Sequence, residues 1–293
     1  MGPMAFDAHF LKTLEALNLL ARRTVVGDDR AERRTPRKGA SIEFADYRRY
    51  VPGDEIRYID WNVYARHGSL FVKEFSAEEN VHAAILLDVS RSMDFGGKFQ
   101  AARELAAAVG YIGLANYDTV SLHAFDGELR VLQPFLRGKS RIFDLLTSLE
   151  TILPGGATDM RSAFRGGLPR LRGRSLVLIL TDFYDLAGYP EAIRTLLARR
   201  FEVHVIHVVA HEELLPTARG RFNLLDLETG RARDVSLLPR TVEAYRQRFG
   251  RFCQEVEQFS RAHEVTYARV LADDPLDRRV IEVLRAGGIL EHR

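Results

Sequence analysis

The sequence is short of cysteine and of long apolar runs, and each shortage excludes a class of protein. Its 293 residues include one cysteine, Cys253, so no disulfide can form within the chain, which suits a reducing compartment. No apolar run approaches the roughly 18 residues of a membrane span. The N-terminus also lacks the charged and apolar regions of a signal peptide. We therefore expect a cytoplasmic protein without a membrane span.

An excess of one charge sign is lacking as well. The chain has 42 Lys and Arg against 40 Asp and Glu, a formal net charge of +2, so the molecule as a whole has no strong attraction to nucleic acid or membrane. The clearest local excess lies in residues 30–49, with seven basic against three acidic side chains. We favour a solvated or flexible face for this basic segment over contact with phosphate. No nucleic-acid partner is expected.

Signatures of common catalytic sites are also missing. The chain has no phosphate-binding Gly-x-x-x-x-Gly-Lys loop, no Gly-x-Gly-x-x-Gly fingerprint and no Gly-x-Ser-x-Gly elbow. Its nine histidines show no metalloprotease spacing. The sequence therefore favours a protein that is not an enzyme.

One stretch does carry chemistry: residues 82–93 read HAAILLDVSRSM. The apolar run 83–87 has no alternation, which is typical of a strand buried on both faces of a parallel sheet. Asp88, Ser90 and Ser92 follow it, at the end of the strand where ligands bind in α/β sheets. A carboxylate and two hydroxyls suit a hard cation such as Mg²⁺. The alternative is that Asp88 or Ser90 caps the following helix.

Two more segments present oxygen atoms in the same kind of place. Residues 153–159 read LPGGATD, a Gly-Gly turn that leads to Thr158. Residues 175–182 read SLVLILTD, a second buried strand that ends in Asp182. Each segment follows a strand or turn and precedes a helical pattern, which favours one shared site over three independent helix caps.

The pattern Asp88-x-Ser90-x-Ser92, then Thr158, then Asp182 resembles the metal-ion-dependent adhesion site (MIDAS) of von Willebrand factor A-like domains. The resemblance implies that the three hydroxyls bind the metal directly and that the two aspartates bind it largely through water. The implied cation is Mg²⁺, with Mn²⁺ or Ca²⁺ as alternatives. Neutral hydroxyls leave such a cation electrophilic at an open position, so a partner protein's carboxylate is the implied ligand.

A second resemblance lies in residues 41–79, where aromatic, basic and acidic residues are closely interleaved. This segment is similar to the signature that precedes a von Willebrand A-like domain in the bacterial family named domain of unknown function 58 (DUF58). The family resembles accessory proteins of MoxR-type AAA+ ATPases, which implies such an ATPase, or a client that it remodels, as the partner. The matching residues are Tyr50, Pro52, Gly53, Asp54, Arg57, Ile59, Asp60, Trp61, Ala65 and Arg66.

Within this segment we predict short strands at 63–64 and 70–75, joined as a hairpin through His67-Gly68-Ser69. Arg57, Asp60, Trp61 and Arg66 are the candidate residues of a surface here. We favour a packed layer of aromatic rings and ion pairs over a binding surface, because arginine both stacks on rings and pairs with carboxylates.

The rest of the chain alternates strands and helices, which predicts a doubly wound, mostly parallel sheet of the von Willebrand A type. Asp126-Gly127 reads as a tight hairpin and therefore predicts one antiparallel edge strand. We place an N-terminal helix, basic linker and signature segment in residues 1–80. Residues 81–293 form the α/β domain, with a hairpin insertion near 221–236.

Together these patterns favour a metal-dependent protein-interaction module, an adaptor for a MoxR-type ATPase in the assembly or remodelling of protein complexes. The alternative is a hydrolase in which the cation activates water toward a phosphate or acyl substrate.

Overall fold

A computed structural model describes residues 6–26, 42–77, 81–165, 175–185, 188–217, 220–225, 227 and 230–287. The chain divides into two compact units: one combines Met1–Val26 with Val81–Arg293, and the other is Gly27–Asn80. Residues 30–41 of the predicted basic segment lie outside the described residues.

The first unit contains most of the helices and strands. In chain order with the second unit they are α1 (Ala8–Val26), β1 (Ile42–Arg49), α2 (Trp61–His67), β2 (Phe71–Ala77), β3 (His82–Asp88), α3 (Lys98–Ala115), β4 (Thr119–Phe125), β5 (Leu129–Arg137), α4 (Ile142–Thr151), α5 (Met160–Arg165), β6 (Ser175–Thr181), α6 (Tyr189–Ala198), β7 (Glu202–Val209), α7 (His211–Leu214), β8 (Gly220–Leu225), β9 (Ala232–Leu237), α8 (Pro239–Ala262), β10 (Thr266–Leu271) and α9 (Leu276–Ala286).

A six-stranded sheet in the order β10-β7-β6-β3-β4-β5 forms the centre of the first unit. All neighbouring strands are parallel except β4 and β5, which pair antiparallel at the edge. The predicted doubly wound sheet with one antiparallel edge strand is confirmed. After β3 the chain adds β4 on one side and β6 on the other, so a topological switch point lies between β3 and β6. Ligands bind outside the carboxyl ends of strands at such points.

Strand β3 shows why the sheet is covered on both faces. Ala83, Ile85 and Leu87 pack into one apolar core, and Ala84 and Leu86 pack into the other. The first core is completed by residues of α1, α3, α4 and α9, and the second by residues of α5, α6 and α8. An unbroken apolar run is therefore what this strand needs, because successive side chains point to opposite faces and both are buried.

Helix α1, the predicted N-terminal helix, buries one apolar face. Leu14, Leu17 and Ala21 are buried in the first core. The sequence predicts that this helix belongs with residues 27–80, but in the structure it packs against α3 and α9. Among the described helices, none combines the length and apolarity needed to cross a bilayer.

In the second unit the predicted hairpin between strands at 63–64 and 70–75 is wrong, because residues 61–67 form helix α2, whereas the second of these strands is present as β2. The Asp60 carboxylate accepts hydrogen bonds from the backbone N–H groups of Asn62 and Val63, and Gly68 ends the helix at a φ of 66°. These are the N-cap and C-cap that a short helix requires. Strand β2 pairs antiparallel with β1 instead of with a strand at 63–64.

The predicted packed layer of Arg57, Asp60, Trp61 and Arg66 is also corrected. Only Asp60 is buried, where it accepts a hydrogen bond from the Tyr47 hydroxyl and pairs with Lys73 at 2.9 Å. The Trp61 ring is 57% exposed. Arg57 and Arg66 lie at the surface, and Arg57 pairs with the neighbouring Glu55. Asp60 therefore has a structural role, and the other three form an exposed surface.

Candidate metal centre

The candidate metal centre begins at the end of β3. Asp88 is fully buried, and its Oδ1 accepts a hydrogen bond from the backbone N–H of Ser90 at 2.9 Å. This local bond turns the chain so that Ser90 and Ser92 are both buried, with their Oγ atoms 3.0 Å apart. Helix α3 starts later, at Lys98, with Gly97 as its N-cap. Ser90 stands at the N-cap position of a short 3-10 helix, Arg91–Asp94, but its side chain makes no capping hydrogen bond.

The Gly-Gly turn is held against this loop by two backbone hydrogen bonds. The N–H of Gly155 donates to the Val89 carbonyl at 2.7 Å, and the N–H of Arg91 donates to the Gly156 carbonyl at 3.1 Å. Gly156 has a φ of 86°, a conformation that favours glycine. Thr158, half-buried, follows this turn, so its segment lies beside the serine loop.

Strand β6 brings the third segment to the same place, because it is the parallel neighbour of β3. The Thr181 hydroxyl donates to Asp88 Oδ2 at 2.5 Å, and Asp182, also buried, follows directly. Phe183 adopts a φ of 61°, unusual for a bulky side chain. In this conformation the backbone N–H of Tyr184 donates to Asp182 Oδ1 at 3.1 Å.

A buried lysine that sequence reasoning missed lies beside these carboxylates. Lys98 is fully buried, and its Nζ is 2.8 Å from Asp182 Oδ2 and 2.6 Å from Glu213 Oε1. The Tyr184 hydroxyl also donates to Glu213 Oε1, at 2.8 Å, and its ring lies 4.7 Å from the ammonium. Glu213 Oε2 accepts from the backbone N–H of Ala210. The network thus ties the start of α3 to the ends of β6 and β7.

The sequence gives a weak signal for part of this network. Lys98 follows the Gly96-Gly97 pair and Tyr184 follows Asp182 by two residues, so both lie near the predicted site. Glu213 is 115 residues from Lys98 in the chain, and no spacing rule connects the two.

The electrostatics of the centre favour a cation. Asp88, Asp182 and Glu213 are three buried carboxyl groups, and Lys98 supplies one ammonium, so the group has an excess of two negative charges when all three carboxyls are ionised. Burial, reinforced by the neighbouring Asp182 carboxylate, raises the pKa of Asp88 to about 7. Hydroxyl and carboxylate oxygens are the ligands that Mg²⁺ prefers. The donor set and its charge fit a divalent cation.

The structure thus places four of the five predicted ligands, Asp88, Ser90, Ser92 and Asp182, in one buried cluster at the switch point. The segment of Thr158 lies beside it. Two other aspartates near these segments cap helices: Asp159 accepts from the backbone N–H of Ser162, and Asp185 accepts from those of Met160 and Gly188.

The hydrolase alternative needs a second metal or a general base close to the first cation. Within the described ranges, no group of three or more His, Cys, Asp or Glu side chains is arranged to hold a metal ion, and this applies to the candidate centre itself as well as to a second site. Burial lowers the pKa of nearby His207 to about 3, and its Nδ1 is 2.8 Å from the Tyr267 hydroxyl. No observation in the described part of the chain specifically favours hydrolysis.

Comparison with known proteins adds a family match. Residues 46–258 match the family described as Protein of unknown function DUF58. The uncharacterized proteins Rv1480 of Mycobacterium tuberculosis and Mb1516 of Mycobacterium bovis are each 26% identical to this chain over 209 residues. The match spans 69% of this chain and 65% of each relative, so the chain covers slightly less than two thirds of their length.

Among solved structures, BatB from Bacteroides thetaiotaomicron is 19% identical, with a TM-score of 0.45 over 71% of this chain and 99% of that one. A von Willebrand factor type A protein from Catenulispora acidiphila is 14% identical, with a TM-score of 0.43 over 75% of this chain and 44% of that one.

Proposed function

The chain belongs to the DUF58 family of proteins of unknown function, and from that premise we propose that it is a protein-interaction module that binds a partner's carboxylate through a divalent cation. One observation carries the proposal: buried Asp88, the paired hydroxyls of Ser90 and Ser92, and buried Asp182 converge at the topological switch point. This position is where α/β sheets bind ligands.

The hydroxyl and carboxylate side chains would have different roles in binding the cation. Ser90, Ser92 and Thr158 would supply neutral oxygen ligands, and Asp88 and Asp182 would supply negative charge behind them. When bound, the cation supplies an electrophilic position for an acidic side chain. The Lys98 ammonium contacts both Asp182 and Glu213, so it holds the Asp182 carboxylate in place. Mg²⁺ is the first cation to test, with Mn²⁺ and Ca²⁺ as alternatives.

The first prediction concerns Ser92→Ala. Calorimetric titration with Mg²⁺, Mn²⁺ and Ca²⁺ is expected to show one ion bound per wild-type chain and no binding, or at least about tenfold weaker binding, in the variant. Ser148→Ala is the matched control, because it removes a hydroxyl that is bonded to Gln133, far from the site in the fold. Equal affinities in the two folded variants would overturn the assignment of Ser92 as a ligand.

The second prediction concerns pH. Only the ionised Asp88 attracts a cation, and its pKa is raised to about 7. We therefore expect the apparent affinity for Mn²⁺ to fall by up to about tenfold for each pH unit below 7 and to be level above it. In the cation-free protein the raised pKa of Asp88 has the opposite effect on the free energy of unfolding. The contribution of this one group is greatest below its ordinary pKa of 3.8 and is lost as the pH rises through about 7.

Asp88→Asn is the control for this pH dependence, because asparagine has a similar shape and does not titrate. We expect weaker binding with a flatter pH profile. The role of Asp88 is contradicted if the wild-type affinity for Mn²⁺ is constant between about pH 5.5 and 8.

The partner follows from the family resemblance. We propose that a MoxR-type AAA+ ATPase, or a client that it remodels, presents the acidic side chain. Binding of the purified ATPase should require the cation, be reversed by a chelator and be lost in Ser92→Ala. Binding that is unchanged by the chelator would reject the cation-dependent contact and leave the ATPase as a partner at another surface.

A further inference from the structure

A groove beside the candidate metal centre has no role in the proposed function so far. Its volume is about 500 Å³, and it lies between the segment after β6 and one face of α8. The lining residues are Tyr184, Tyr245, Arg248, Phe249, Arg251, Phe252 and Glu255. Most of the α8 residues recur at helical spacing, so they share one side of the helix.

Aromatic rings form the floor and wall of this groove. The Tyr184 ring stacks on the Phe252 ring with a distance of 6.0 Å between ring centroids, and the Tyr245 ring stacks on the Phe249 ring with a distance of 5.9 Å. The ring centroids of Phe249 and Phe252 are 6.0 Å apart, so these two rings join the two stacks. Phe249 is buried, whereas Tyr184 and Tyr245 remain 38% and 40% exposed. Partly exposed, preformed aromatic surface of this kind suits insertion of an apolar or aromatic side chain.

The charge around the groove is positive. The first half of α8, residues 239–251, carries four arginines and one glutamate. Arg248 and Arg251 are exposed, and neither pairs with a carboxylate among the residues that the structure describes. Glu255, one turn further along, is the single acidic side chain of the lining. Guanidinium groups without a carboxylate partner beside aromatic rings are complementary to an acidic segment that carries an aromatic residue.

The groove is also connected to the metal centre. Tyr184 forms its wall, and the same residue donates its backbone N–H to Asp182 and its hydroxyl to Glu213. A polypeptide seated in the groove therefore lies within a few residues' reach of the centre.

We propose that this groove binds an acidic peptide segment of a partner protein, with an aromatic side chain packed on the exposed parts of the Tyr184 and Tyr245 rings and with carboxylates paired to Arg248 and Arg251. The inference deepens the proposed function. The peptide contact itself needs no cation. Only the claim that the peptide belongs to the same partner protein as the carboxylate at the metal centre rests on the proposed function. Nucleic acid is the competing occupant, since it also carries negative charge and stacks on aromatic rings.

Selection from a display library of random peptides on the immobilised full-length protein tests the proposal. We expect the enriched sequences to contain Phe, Tyr or Trp flanked by Asp or Glu. The synthetic form of the best sequence should lose at least about tenfold in affinity for Arg248→Glu/Arg251→Glu at low salt, and less at high salt, because salt screens exposed charges. Replacing its acids by amides should have a similar effect on the wild type.

Arg240→Glu/Arg246→Glu is the matched control, because it also reverses two exposed charges on the same helix, at positions that do not line the groove. The proposal is overturned by any of three results: no enrichment, enriched peptides that are neutral or basic, or an equal loss of affinity in the control. Single-stranded RNA that binds more tightly than every peptide, with steep salt dependence, would also overturn it in favour of nucleic acid.

The same peptides in chelator separate this proposal from the proposed function. Groove-dependent binding that persists without cation supports the groove, even if the metal titration has failed. Conversely, a protein that binds cation but no acidic peptide through Arg248 and Arg251 retains the proposed function and loses the groove.

Discussion

Replacing Lys98 by methionine is expected to lower the free energy of unfolding by about 3–5 kcal/mol. The side chain is fully buried, and its ammonium lies between Asp182 and Glu213. Methionine fills a similar volume but leaves two buried carboxylates close to each other without a counter-charge. Most of the decrease in the free energy of unfolding is therefore due to the desolvated charge that remains. Urea unfolding followed by circular dichroism measures this decrease.

Two further variants isolate that cause. In Lys98→Met/Glu213→Gln one of the unpaired charges is gone, so we expect recovery of at least about 1 kcal/mol relative to Lys98→Met. Lys139→Met removes a lysine whose Nζ is as close to a carboxylate, 2.9 Å from Glu15, but at an exposed position. Its cost is expected to be far smaller, because solvent screens an ion pair at an exposed position. A cost for Lys98→Met no larger than this control would show that the buried network is not what holds the three segments together.

Gly96→Ala is expected to be the second most damaging substitution, with a cost of about 2–4 kcal/mol. Gly96 has a φ of 58°, and an added Cβ would lie 2.3 Å from the Cβ of Ala210. Ala210 is fully buried at the end of β7 and cannot rotate away, because its Cβ is fixed to the backbone. The added methyl group would push the serine loop away from β7. This displacement would also lengthen the contact between Lys98 and Glu213.

The neighbouring residue provides the control. Gly97 has a φ of 75°, and an added Cβ there would meet nothing within 4 Å. Gly97→Ala should therefore incur only the cost of a left-handed alanine, about 1–2 kcal/mol. Comparison of the two urea midpoints gives the steric term alone. If the two variants are equally stable, the contact with Ala210 is relieved by a small shift and does not fix the loop.

The part of the site that sequence predicted is the part encoded in short segments. Asp88 and Asp182 were assigned to strand ends because each follows an apolar run, and such runs are recognisable without knowledge of the fold. The structure places both strand ends side by side at the switch point. The resemblance supplied the selection of Ser90, Ser92 and Thr158, and their role as ligands stays a prediction that the titrations test.

The misassigned elements share a different cause. The 61–67 segment contains Val63 and Tyr64, which favour strands, but the Asp60 cap and the left-handed Gly68 determine a helix. Both signals were present in the sequence and were outweighed by residue preference. The exposure of Trp61, by contrast, depends on what surrounds the ring and has no local signal.

The sequence by itself determined the alternation of strands and helices in residues 81–293, the antiparallel edge and the segments that carry the candidate ligands, because periodicity and turn chemistry act over a few residues. Only the tertiary structure decided that Lys98 joins Asp182 and Glu213, which lie 84 and 115 residues further along the chain. It alone also formed the aromatic groove beside them. Pairings of that kind arise from how the strands are arranged in the sheet, and the burial that gives them their energy exists only once the whole unit has packed.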